Sequence, residues 1–226
     1  MMKLDKFAII FKFLILTFSL AVSSVHAQNI DRQTHEYVTQ QVYVAMFGRA
    51  ADRAGEAWFA NSLRNIGAPT NIVQLNQAYD TNYQVRALID SYTNSAEFQR
   101  ISAGSSESYL YYLYNTLFNR SPDVNGAAYW KALIDTGSVT RGRAALAILA
   151  SSSGTYDGYI AGTKSDYAYL ITRDLVWNYQ IDAYNRATQD EIRPGVTYAR
   201  AMLASINSWY EVRPAVDAMA SKYRQW

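Results

Sequence analysis

The 226-residue chain contains no cysteine, which removes thiolate nucleophiles, Cys-ligated zinc or iron–sulfur centres and disulfide staples from consideration. Histidine is nearly as scarce, at two residues, His26 and His35. A histidine zinc site or a Ser–His–Asp triad would have little to build on. Neither a Gly-x-Ser-x-Gly elbow nor a glycine-rich phosphate loop occurs. Proline interrupts the chain only four times, and no segment alternates apolar and polar residues over a strand's length. Few breakers and no period of two predict an all-α fold.

Long apolar runs are absent except at the N-terminus. Lys3, Lys6 and Lys12 precede an apolar core from Phe13 to Val22, and Val25-His26-Ala27 forms a small-residue exit. This pattern predicts a signal peptide over 1–27, cleaved after Ala27. As a membrane anchor the stretch is broken at Lys12 and falls short of the roughly 20 apolar residues a spanning helix needs. Residues 28–226 are then expected outside the cytoplasm, at the cell surface or in the medium, with the periplasm as the alternative. The membrane meets the protein only through the leader. Its loss removes three of the 21 basic residues and one of the 19 acidic ones, leaving the charges balanced. A neutral chain lacks the clustered basic excess that phosphate binding requires, so nucleic acid is not an expected partner.

What the chain does have is a repeat. Val42–Phe59 can be laid on Leu113–Trp130 without a gap. Tyr43/Tyr114, Phe47/Phe118, Arg49/Arg120, Asp52/Asp123, Gly55/Gly126 and Ala57/Ala128 are identical. Each copy reads as helix, loop, helix. Leu110, Leu113, Tyr114, Leu117 and Phe118 make one helical face, and Pro122 disfavours helix just before it. Asp123 is placed to cap a second helix carrying Ala127, Tyr129, Trp130, Leu133 and Ile134. Gly137 ends that helix, and Ser138 or Thr140 opens a third with Ala145, Ile148 and Leu149. In copy one, Gly67 and Pro69 stop the chain before Ile72–Tyr79. A further helix follows over Tyr83–Tyr92, and Asn94–Phe98 echoes the polar end of copy two near Ser151–Tyr156. The remainder shows three more stripes: Tyr167, Leu170, Ile171, Leu175; Ala199, Met202, Leu203, Ile206; and Val212, Val216, Met219, Ala220, Tyr223, the last introduced by Pro214 in a first turn. The expected organisation is a signal peptide and one multi-helix bundle over 28–226. Repeat one with its insertion covers 28–105, repeat two 106–160 and C-terminal helices 161–226.

The signature Tyr-x-x-x-Phe-x-Arg-x-x-Asp-x-x-Gly-x-Ala-Tyr/Trp-Trp/Phe is similar to that of the domain of unknown function 4214 family, best over Leu110–Tyr156 with a weaker copy over Val42–Phe98. Copy one departs in having Ala51 where the family usually has proline, and in its longer insertion. The resemblance implies a bacterial secreted or surface context, including S-layer-associated proteins, and hence binding or assembly. It supplies no reaction.

The repeat loop offers chemistry that a plainer reading also explains. Asp123-Val124-Asn125-Gly126 resembles the opening of a calcium loop, but the twelfth position, where a bidentate Glu is needed, is Ile134, and the first copy's Asp52-Arg53-Ala54-Gly55 has no second oxygen side chain. Asp as cap and Gly as turn accounts for both copies, so no cofactor is implied beyond calcium as a minor candidate. Arg49 and Arg120 could hold a ligand carboxylate or sugar hydroxyl. Retained in both copies, they are more simply part of the packing unit, bonding helix-end carbonyls or the loop Asp while stacking on an aromatic ring. Arg49, Asp52, Gly55, Arg120, Asp123 and Gly126 thus form the structural motif.

All 19 tyrosines and five tryptophans follow the leader. Tyr114, Tyr129, Trp130 and Trp58 sit on repeat stripes and are expected in the core. Tyr109, Tyr111, Tyr112, Tyr156, Tyr159, Tyr167 and Tyr169 are too many for one core face, and tyrosine suits adaptable recognition. The ligand-binding candidates are Tyr111, Tyr112, Arg120, Tyr156 and Tyr159. The leading expectation is a non-catalytic module binding an envelope or extracellular polysaccharide or a surface protein. The alternative is a self-assembling surface or appendage component, a homo-oligomer. A glycan-cleaving enzyme using two of Glu36, Glu97, Glu107, Asp174, Asp190, Glu191 and Glu211 ranks third.

Overall fold

The computed structural model describes residues 30–174 and 194–222. The chain divides at Asp31, and every described helix belongs to the unit from Arg32 onward. The predicted leader, Leu175, Asp190, Glu191, Tyr223 and the side chain of Ala220 lie outside the described residues. Among those residues the structure is all-α: α1 His35–Phe47, α2 Arg53–Asn65, α3 Ile72–Thr81, α4 Tyr83–Thr93, α5 Ala96–Ile101, α6 Ser106–Phe118, α7 Val124–Asp135, α8 Arg141–Ser151, α9 Tyr156–Asp174, α10 Pro194–Ser205 and α11 Trp209–Lys222. None of these helices is long and apolar enough to cross a membrane.

The boundaries follow from short polar side chains. Thr34, Asp52, Asn71, Asn82, Ser95, Ser105, Asp123 and Thr140 each accept a backbone N–H in the first turn of α1 to α8 in order, an arrangement worth about 0.5–2 kcal/mol per helix. Asn82 both ends α3 and starts α4. Of the two candidate caps for α8, Thr140 is the one used.

The core is organised around α1 and α9, which pack on each other. Val38, Val42, Val44, Ala45, Met46 and Phe47 of α1 are all buried, as a helix surrounded by partners requires. Those partners are α2, α5, α6, α8 and α9. Two polar clusters carried inside are paired. Gln40 Nε2 donates to Glu56 Oε1 at 2.8 Å and to Thr172 Oγ1 at 3.0 Å, while its Oε1 accepts from the Ala51 N–H at 2.9 Å. The Asp166 carboxylate takes a two-point guanidinium contact from Arg32 and the Tyr37 hydroxyl at 2.8 Å.

Two expectations need correction. Pro214 does not stand in a first turn: α11 begins at Trp209, because Glu211 Oε2 accepts the Asn207 and Ser208 N–H groups at 2.6 and 3.0 Å and fixes the start there. Pro214 instead lies on the exposed face of the second turn. Trp58 and Tyr129 are not core residues but 55 % and 60 % exposed. The buried stripe of α2 runs through Phe59 and Leu63, and the preceding position is turned about 100° away on a 3.6-residue helix. In α7 no residue is fully buried. Conversely, Tyr109 and Tyr167 are interior, and the Tyr109 hydroxyl donates to the Arg141 carbonyl at 2.9 Å.

Candidate functional site

The two copies fold by the same local chemistry. The first helix of each ends in a left-handed residue, Gly48 (φ 63°) and Asn119 (φ 55°), whose N–H returns to Val44 O and Asn115 O, both at 3.1 Å. One residue later stands the shared arginine. Arg49 spans the carboxylate of Glu97 at 2.8 and 2.7 Å and donates to Ala50 O. Arg120 spans Asp157, with contacts of 3.0 and 2.6 Å, and donates to Ser121 O. Each guanidinium also lies over the two aromatic rings before it, Tyr43 and Phe47 (5.5 Å each) or Tyr114 (5.3 Å) and Phe118 (5.9 Å). The loop aspartates are not the arginines' bidentate partners. Asp52 and Asp123 cap the next helix, each accepting from the glycine N–H three residues on at 2.8 Å, which also holds the Asp123 carboxyl below its ordinary pKa.

Glu97 and Asp157 reveal a second register. Each is the second residue of the helix that follows its repeat, after the N-terminal Ser95 or Thr155. Ser95 N–H bonds Tyr92 O and Thr155 N–H bonds Ser152 O, both at 3.0 Å. Counted from that end, α4 corresponds to α8: Val85, Ile89 and Tyr92 are the buried face of one, Ala145, Leu149 and Ser152 their counterparts in the other. The Arg-to-acid separation is 48 residues in copy one and 37 in copy two, so copy one contains one more helix.

The consequence is a cleft. In copy one the Tyr92 ring packs against Phe59 (4.5 Å), Tyr43 (5.3 Å) and Phe47 (5.6 Å), meeting each edge to face. In copy two the corresponding residue is Ser152, and the space is open: a cleft of about 400 Å³ lined by Tyr114, Phe118, Ile148 and Ser152, with Arg120, Tyr156 and Asp157 at the polar side. Tyr156 and Tyr159 stack at 6.2 Å with 26° between their planes. The Tyr159 hydroxyl accepts the Trp209 N–H at 3.2 Å.

Of the predicted ligand residues, Arg120 and Tyr156 therefore share the cleft and Tyr159 stacks on Tyr156. Tyr111 sits apart, in a smaller groove of about 200 Å³ with Glu107, Ala127 and Lys131. Tyr112 turns inward, its hydroxyl buried close to the Cα of Gly48. Residue-type reasoning misses Ser152, Ile148 and Asp157. The register counted from Ser95 and Thr155 would have found Ser152 and Asp157, as the counterparts of Tyr92 and Glu97. Among the described carboxylates considered for catalysis, Glu36 pairs with Arg64, Glu97 with Arg49 and Arg200, and Asp174 with Arg213. No group of three or more potential metal ligands occurs among the described residues.

Residues 89–154 match the model of the family described as domain of unknown function (DUF4214). The DUF4214 stretch holds the end of α4, all of α5 to α8, and both Tyr92 and Ser152. It begins well before Leu110, and the Val42–Phe59 half of the repeat lies outside it. No curated protein and no solved structure matches the chain.

Proposed function

We propose that the protein is an exported, non-catalytic binding module whose ligand is a polysaccharide of the envelope or the extracellular medium, held at the cleft of the second copy. The observation that carries this reading is the cleft's lining. Aromatic and aliphatic surface from Tyr114, Phe118 and Ile148 stands beside hydroxyls and an Arg120–Asp157 pair. This combination of apolar body and few placed polar groups suits a small-molecule or glycan site. The Tyr156–Tyr159 stack extends it with exposed ring faces, on which sugar C–H groups pack. Export is read from the leader pattern over 1–27.

The test is a glycan array probed with the wild-type protein and with Tyr156→Ala/Tyr159→Ala. The expected result is selective polysaccharide binding that falls about tenfold in the double variant, at roughly 0.7 kcal/mol for each ring. An array that stays blank for the wild-type protein refutes the reading.

A second reading, self-association at the surface, draws on α7. Its residues are nowhere fully buried, and Val124 and Tyr129 are 84 % and 60 % exposed. Light scattering that shows a concentration-dependent polymer without any glycan signal would favour it.

A further inference from the structure

We infer that the second-copy cleft seats a single neutral six-membered sugar ring in the place that the Tyr92 ring occupies in the first copy. This rests on the polysaccharide reading above and specifies what enters the site. The first copy supplies the template. There a six-membered ring fills the seat, edge to face against Tyr43, Phe47 and Phe59. Two of these three walls recur: Tyr43 and Phe47 correspond to Tyr114 and Phe118, which line the cleft, whereas Trp130, the counterpart of Phe59, is not among its lining residues. The ring that would complete the arrangement is absent because Ser152 carries only a hydroxyl where Tyr92 carries a phenol. The cleft, at about 400 Å³, has room for a ring in that place, and a pyranose offers C–H groups to aromatic faces as the edge of a phenol does.

The polar side of the cleft chooses a sugar over an aromatic side chain from a protein partner. Ser151, Ser152 and Thr155 line it and spend their hydroxyl hydrogens on Ile148 O, Leu149 O and Ser152 O. What Ser151 and Ser152 offer a ligand is oxygen lone pairs, which need donors. The Asp157 carboxylate adds further acceptor sites. A pyranose brings several hydroxyl donors to this wall, whereas a phenol brings one. Burying acceptors without donors is costly. The charges also select. Arg120 and Asp157 neutralise one another at 2.6 Å, so a uronate finds its arginine already paired and meets the carboxylate as well. A neutral ring disturbs neither.

The experiment fills the seat from within. Ser152→Tyr rebuilds the first copy's arrangement in the second. The expected outcome on the array is a loss of at least about tenfold in neutral-glycan binding together with a higher melting temperature, as a cavity is filled by a ring. On the wild-type protein, saturation-transfer NMR with irradiation of the aromatic protons should place the strongest transfer on one pyranose of a bound oligosaccharide. That measurement stands whether or not the variant folds. A Ser152→Tyr protein that folds and binds as the wild type does, or transfer spread evenly along the oligosaccharide, overturns the seat while leaving polysaccharide binding intact. Binding restricted to acidic glycans overturns neutrality. A blank wild-type array removes both this inference and the reading it rests on.

Discussion

Glu97→Ala and Asp157→Ala delete the same partner from the same motif in two environments, and their stability costs should differ several-fold. The Glu97 carboxylate is held by Arg49 and by Arg200, at 2.7 and 2.9 Å. The side chains of Arg49 and Glu97 retain only 6 % and 14 % of their surface. Deleting Glu97 takes the anion away from two guanidiniums, one of them buried, and breaking a buried pair from one side costs about 3–5 kcal/mol. Arg120 and Asp157 keep 42 % and 21 %, and a solvent-screened pair is worth about 0.2–1 kcal/mol. For a chain of this size, ~2–4 °C of melting temperature accompanies each kcal/mol, so Glu97→Ala should melt roughly 6–20 °C below wild type and Asp157→Ala no more than about 4 °C below. Urea unfolding followed by circular dichroism gives the same comparison at 25 °C, and added salt should narrow the Asp157 effect alone. Equal costs for the two variants, or a larger one for Asp157→Ala, would refute the assignment of the first copy as the buried structural clamp.

Lys164 is fully buried on α9 and donates to Thr116 O and, at 2.6 Å, to Asn119 Oδ1. Burial pushes its ammonium down to about 7 from the ordinary 10.5. Between those values the unfolded chain holds a proton that the folded one does not, so stability should rise with pH from 7 to 9, by at most about 1.4 kcal/mol per unit. Urea midpoints of wild type and Lys164→Met across that range check this, since the variant should lack the slope. Gly142→Ala should destabilise by about 1–3 kcal/mol, because its Cβ would fall 2.0 Å from Thr93 Cγ2 where α8 crosses α4. Adding Thr93→Ser, which removes that methyl, should restore most of the loss in a double-mutant cycle; no recovery would show that the crossing is not the cause.

Much of this architecture is legible from local chemistry. The gapless alignment of Val42–Phe59 with Leu113–Trp130 anticipates two helix–loop–helix units, and Asp52 and Asp123 cap as their position beside a helix start demands. The aromatic stacking of Arg49 and Arg120 is equally readable, since the rings stand only two and six residues before the guanidinium. Their acidic partners are not, being 48 and 37 residues away with an extra helix in one interval. The cleft escapes for a different reason: it is marked by a serine, a residue with no periodic or chemical signature. Only its equivalence to Tyr92, visible once both ends of the repeat are aligned, gives it meaning. The direction of Tyr112 is out of reach too, because its inward turn depends on Gly48 at the end of another helix.

On the proposed seat, the first copy pictures the second with a ring in place. Tyr43 and Phe47, with a ring seated on them, stand 5.1 Å apart, and Tyr114 and Phe118, with none, stand 5.4 Å apart. Their tilt alone differs appreciably, 54° against 80°. On that seat, the 26° difference in tilt is the rearrangement the two rings of the second copy would make, their spacing being set by a step of four residues along one helix in both copies. Binding should then cost one ring rotation rather than a movement of helices, so that little affinity is lost to reorganisation.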